Sequence, residues 1–142
     1  MSRPFQVFYA VFIPALCLGI FLRIYVDKPD WEGAARKAAV KTDISMFTQA
    51  LGQFQVDCGR YPTTEEGLAA LIERPPSIPT AQWRHPYLNL QKIPTDPWGR
   101  PFIYKSPGSH YTNAYDCYSV GPEGRGGINA IGNWTPPARS SH

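Results

Sequence analysis

The sequence holds 142 residues, among them 15 prolines and 12 glycines, and carries a formal net charge of +3. That length fits one domain of ordinary size with a modest core and much ordered loop. The positive excess is small and scattered, and no Lys/Arg cluster is interleaved with aromatics, which excludes a nucleic-acid groove.

From Phe5 to Val26 the chain is almost wholly apolar, with Gln6 and Arg23 its strongly polar members and an uncharged run from Val7 to Leu22. A helix over that run rises about 24 Å against a hydrocarbon layer of roughly 30 Å. Phe5 and the residues through Val26 extend it, while Arg23 snorkels its charge outward. Pro14 kinks such a helix, which membranes tolerate where neighbouring groups satisfy the freed carbonyl. The expectation is a single lipid-embedded anchor. A cleaved secretory signal is the rival, but no clean small-x-small site is present, and Pro14-Ala15-Leu16 before Cys17 makes a poor lipoprotein box. Arg3 on one side and Arg23 and Lys28 on the other leave the orientation weakly coded.

Asp27-Lys28-Pro29-Asp30 is a polar break, since the residue before a proline is pushed out of the helical region and Asp30 suits an N-cap. The segmentation read here is 1–30 for anchor and break, 31–136 for a folded head and 137–142 for a polar tail; a kinked continuous rod through the break is the alternative. The head opens with a helix predicted from Trp31 to about Asp57 and Cys58. Val40, Ile44, Phe47, Leu51 and Phe54 recur at spacings of four, three, four and three and so form one apolar stripe, while Lys41, Thr42, Ser45, Gln49 and Gln53 fall mostly elsewhere. Gly59 is a natural left-handed C-cap.

Thr63 with Glu66 forms a capping box, and Leu68, Leu71 and Ile72 give a short following helix an inward face, with Pro75 barring its extension. From Pro75 to Pro101 runs a long proline-rich connection that Trp83, Tyr87, Leu88, Ile93 and Trp98 must pin down. Asp96-Pro97-Trp98-Gly99-Arg100 reads as a tight turn delivering a strand, Phe102 to Lys105, and a loop from Ser106 leads into a second strand, Ala114 to Val120. After Gly121 the remainder reads as loop. No Cys or His pair has a C-x-x-C or H-x-x-x-H spacing, so His85, His110, Asp96, Asp116 and the cysteines give neither a zinc site nor a triad, and the chain is not expected to be an enzyme.

These stretches resemble a known family. A long helix ending in Asp57 to Leu68 (Asp-x-Gly-Arg-Tyr-Pro-Thr-Thr-Glu-x-Gly-Leu), then Pro86-Tyr87-Leu88, the turn from Pro94 to Pro101, Tyr104 to Gly108, Asp116 to Gly121 and Ile131-Gly132-Asn133-Trp134 together look like the major pseudopilin of bacterial type II secretion systems. The resemblance spans roughly residues 36 to 134. It implies an α+β, pilin-like fold with a long N-terminal helix packed on a small antiparallel sheet. It further implies a single-pass location in the bacterial inner membrane, a periplasmic head, and assembly with copies of itself or other pseudopilins into a fibre served by an inner-membrane secretion platform.

Two departures qualify what the resemblance implies. Family members carry a basic leader, a glycine cleavage point and a glutamate five residues into the mature chain; here Met1 to Phe5 read Met-Ser-Arg-Pro-Phe and Tyr9 stands at the glutamate's place, so the amino terminus is expected to stay unprocessed. A membrane-anchored, non-polymerising accessory module with a pseudopilin-like head, using Tyr87, Trp98 or the loop from Ser106 to Asn113 as a contact surface, is therefore the alternative function. The family's C-terminal loop holds calcium with aspartates and carbonyls, whereas between Gly121 and Trp134 only Glu123 is acidic here, with Asn129 and Asn133 as neutral oxygens and Ala130 where an aspartate usually stands; neither calcium nor any other cofactor is expected. Cys117 occupies a family position that faces the helix and Cys58 ends that helix, so in an oxidising compartment a Cys58–Cys117 disulfide is expected, with Cys17 left in the anchor. Two buried free thiols are the alternative.

Overall fold

A computed structural model describes residues 31–84, 86–124 and 130–134 of the chain. The chain divides into two compact units, Met1–Gly33 and Ala34–His142, and the description below concerns the second almost entirely. Phe5, Pro14, Arg23, Cys17 and the expected cap Asp30 lie outside the described residues, as does His85. Among the described residues no helix is long and apolar enough to cross a membrane.

Helix α1 runs Trp31–Cys58 and buries Val40, Ile44, Phe47, Leu51 and Phe54, the predicted stripe, together with Ala50. It stops because Gly59 takes a φ of 73° and donates its N–H to the Gln55 carbonyl at 2.8 Å, a conformation open to glycine at little cost.

Among the described residues the strands are β1, Ile103–Lys105, β2, Asp116–Ser119, and β3, Ile131–Gly132, in the order β1-β2-β3. Both pairings are antiparallel, with Tyr104 opposite Cys117 and Ser119 opposite Ile131. The sheet is one strand larger than the sequence predicts. Two residues of Ile-Gly offer too short a pattern to read as a strand, and β2 supplies the open edge that makes them one.

The helix packs on the rest of the head through aromatic edges, at the residue leading into β1 and at the proline-rich connection. Phe47 sets its ring against Phe102 at 5.1 Å, and Phe54 meets Tyr87 at 5.4 Å, both edge-on. Tyr115 lies between Tyr61 at 4.8 Å and Tyr104 at 5.7 Å. The edge-on contacts add to the burial of ring surface because the positive edge of one ring meets the negative face of another, while Tyr104 and Tyr115 are stacked at 27°. The long proline-rich connection is pinned as its aromatics imply: Tyr87 and Leu88 are buried, both of their N–H groups reach the Leu71 carbonyl, and the Trp83 indole N–H donates to the Ala70 carbonyl at 3.2 Å.

The capping box forms, but not on the helix expected. Thr63 N–H donates to Glu66 Oε2 at 2.8 Å and Glu66 N–H to Thr63 Oγ1 at 3.2 Å. This turn closes at Gly67, whose φ of 58° breaks the helical path, and a separate 3₁₀ segment follows over Leu68–Leu71. Glycine within the pattern, not Pro75, therefore ends the first turn.

Candidate functional site

The turn Asp96 to Arg100 forms as the sequence predicts and organises the end of the sheet. Asp96 is buried; its Oδ1 accepts the N–H groups of Trp98 at 3.0 Å and Arg100 at 2.9 Å, and its Oδ2 accepts the Ser119 hydroxyl at 2.5 Å. Gly99 adopts a φ of 78°, and Thr95 pairs with Pro101 across the turn. Ser119 in turn accepts the Gly121 N–H at 3.0 Å. From the far end of the same turn, Arg100 donates to the Gly121 carbonyl at 2.6 Å and to the Pro122 carbonyl at 3.3 Å. One five-residue turn thus holds both sides of the β2 exit, with a carboxylate on one side and a guanidinium on the other.

A second carboxylate fixes the β1–β2 loop. Asp116 is buried at the start of β2 and accepts N–H groups from Ser109 at 2.7 Å, His110 at 2.9 Å and Tyr111 at 3.2 Å. His110 Nδ1 lies 3.1 Å from the same carboxylate. Burial alone would raise the Asp116 carboxyl, but these donors, His110 first, hold it below the usual carboxylate range. Gly108 is obligatory there, since a Cβ would sit 2.5 Å from Asp116 Oδ1.

The final described stretch is tied to β2 by side chain as well as ladder. Asn133 accepts the Cys117 N–H and donates to the Tyr115 carbonyl, both at 3.0 Å, and its own N–H reaches the Cys117 carbonyl at 3.0 Å. Trp134 lies flat on the His110 ring, 3.9 Å away and within 10° of parallel, and covers Gly132 so closely that a Cβ would meet its ring at 2.3 Å.

The expected disulfide and contact residues take these places in the structure. Cys58 and Cys117 are both free thiols in this structure. Cys58 is half-buried and its thiol lies 3.8 Å from the Tyr87 hydroxyl and from the Gln82 carbonyl, whereas Cys117 is wholly buried on β2, where burial pushes its thiol up to about 12. The helix end turns Cys58 toward the proline-rich connection instead of the sheet. Tyr87 is no contact surface either: it is buried, with its hydroxyl donating to Asp57 Oδ2 at 3.2 Å. Trp98 is half-buried against the core.

Calcium, which the resemblance implies, does not fit the described residues. It needs six to eight oxygens, carboxylates among them. Asn133 has both amide atoms engaged with backbone, the carbonyls of Gly121 and Pro122 already receive a guanidinium, and position 130 is alanine. Among the described residues no group of three His, Cys, Asp or Glu side chains could hold a metal. His110 and Asp116 do come together, yet the carboxylate is engaged by three backbone donors and the neighbouring Ser109 hydroxyl is taken by Lys105 Nζ at 2.9 Å, so the pair acts as a structural clasp. Sequence reasoning missed the Arg100 and Asn133 anchors, because their partners are backbone groups more than fifteen residues away and leave no side-chain pattern.

The chain is similar in sequence and in fold to known proteins. Residues 30–134 match the sequence profile of the family described as Type II secretion system (T2SS), protein G. The type II secretion system core protein G of Pseudomonas aeruginosa is 33% identical over 132 residues, spanning 87% of this chain and 89% of the relative. That of Klebsiella michiganensis is 36% identical over 129 residues, spanning 88% of each. The Escherichia coli core protein G reaches 38% over 104 residues, spanning 72% of this chain and 70% of the relative. Among solved structures, the major pseudopilin from the type 2 secretion system of enterohaemorrhagic Escherichia coli aligns with a TM-score of 0.64 at 32% identity, covering 77% of this chain and 92% of that one.

Proposed function

The chain belongs to the type II secretion system protein G family, and from that premise we propose that it is a structural pseudopilin, a subunit of the periplasmic fibre that drives protein export. The observation that carries this reading is the head itself, in which the helix-on-sheet arrangement of a major pseudopilin is rebuilt across 92% of that structure's length. The apolar run 7–22 supports a single-pass anchor in the bacterial inner membrane, with 31–136 as the periplasmic head and 137–142 as a tail. Its partners on this reading are copies of itself or other pseudopilins, membrane lipid and the inner-membrane secretion platform. The role is mechanical: Asp96 and Asp116, the buried acids, are consumed in holding loops, and no catalysis is assigned to them.

The outer face of α1 offers surface for such packing. Val56 is 82% exposed and sits in a shallow groove with Gln49, Gly52, Gln53, Asp57 and Arg84. Deleting the gene in its own host and restoring it should abolish and then restore export of the secreted proteins, and crosslinking should recover ladders of this chain. A strain that secretes normally without it, with the chain recovered only as a monomer, would overturn the reading in favour of an anchored accessory module.

A further inference from the structure

At the β2 exit the chain brings a cation of its own to the backbone. Two carbonyl oxygens, those of Gly121 and Pro122, point at one guanidinium, and the Gly121 oxygen also accepts the Gly124 N–H at 3.2 Å. We propose that Arg100 is the resident cation of this loop: its guanidinium takes the place of a divalent metal, gathering the carbonyls at the β2 exit and fixing the turn Gly121 to Gly124.

Three independent features carry this. First, the arginine is held from behind, because its own N–H is bonded to Asp96 Oδ1 at 2.9 Å and its carbonyl accepts the Asp96 N–H at 2.7 Å. Its side chain therefore starts from a fixed backbone, which reduces the entropy lost on forming the contact. Second, the turn is shaped around the guanidinium. Gly124 has a φ of 68°, and a Cβ there would lie 2.9 Å from Arg100 Nη2 and 3.0 Å from Cζ and Nε, so the backbone packs directly over the charged group and any side chain there would have to displace the guanidinium. Third, the chemistry excludes sharing. A guanidinium presents several donors in a fixed fork and stays charged at any working pH, while a dication placed on the same carbonyls would face its positive charge at close range. A loop held this way is indifferent to chelators.

The test uses the full chain in detergent micelles and reads hydrogen–deuterium exchange in peptides covering residues 116–124. In the unaltered protein, exchange should be the same with saturating calcium and with a chelator. Arg100→Gln, which keeps a polar side chain but loses the charge and the fork, should exchange these amides faster by on the order of tenfold or more, as expected for losing hydrogen bonds from a charged donor, and calcium should not restore it. Arg100→Lys keeps the charge and loses the fork that reaches both carbonyls, so it should also accelerate exchange, though less; it is read in place of Arg100→Gln if that variant does not fold. Protection of the unaltered loop by calcium, or exchange in the variant that folds indistinguishable from the parent, overturns the proposal.

Discussion

Replacing Glu66 by glutamine should weaken the head by about 1 to 2 kcal/mol near neutral pH and by almost nothing near pH 2. Glu66 accepts Arg60 Nη1 at 2.7 Å and Nη2 at 2.8 Å, the Thr63 N–H at 2.8 Å, and the Ser77 hydroxyl, so it joins the end of α1 to the capping turn and the proline-rich connection. The Arg60 bonds foremost, against the opposing effect of burial and with help from Ser77 and Thr63, pull its carboxyl from 4.5 down to about 2. Undamped, such a shift corresponds to roughly 3 kcal/mol. The Arg60 side chain is 37% exposed, however, and water screens the pair, which brings the magnitude to the lower figure. Because the folded-state pKa lies below the unfolded one, this stability is fully present above pH 4.5 and drains away as pH falls toward 2. Glutamine keeps one acceptor oxygen for the Thr63 N–H, removes the charge and turns the other oxygen into a donor, which ends the two-pronged bond with Arg60. Denaturant unfolding of parent and Glu66→Gln across that window, compared as a difference so that the other carboxylates cancel, should show a gap that closes on acidification. A gap of constant size from about pH 7 to pH 2.5 would refute the linkage, and no gap at neutrality would refute the ion pair's contribution.

Other consequences can be checked in the same preparations. Phe54→Ala removes a fully buried ring that also meets Tyr87 edge-on, and should cost about 3 to 5 kcal/mol in thermal unfolding. Gly132→Ala places a methyl group at 2.3 Å from the Trp134 ring and should unstack it from His110, seen as a change in tryptophan fluorescence without loss of far-ultraviolet helix signal. Native-state alkylation should modify Cys58 and spare Cys117 until the protein unfolds, since Cys117 is wholly buried with its thiol pushed up to about 12; recovery of the two as a crosslinked peptide from exported protein would contradict the free thiols seen here.

Much of the head was written in local pattern. The stripe Val40, Ile44, Phe47, Leu51 and Phe54, the stop at Gly59, the Thr63–Glu66 box and the turn Asp96 to Arg100 all depend on neighbours a few residues apart, where spacing, proline and glycine speak directly. The string of short motifs from Asp57 to Trp134 was enough to place the chain in its family and so to anticipate a helix on a sheet. What the sequence could not decide were relations across long separations. β3 exists because β2 offers it an edge, Gly67 divides a helix that capping and apolar spacing would join, and Cys58 faces Tyr87 and Gln82 instead of Cys117 because the last turn of α1 points it there. The anchoring of the C-terminal loop belongs to the same class. Arg100 and Asn133 act on backbone carbonyls and amides, which every residue possesses, so no side-chain pattern marks the partner, and only the folded chain brings the guanidinium of one turn over the carbonyls of another.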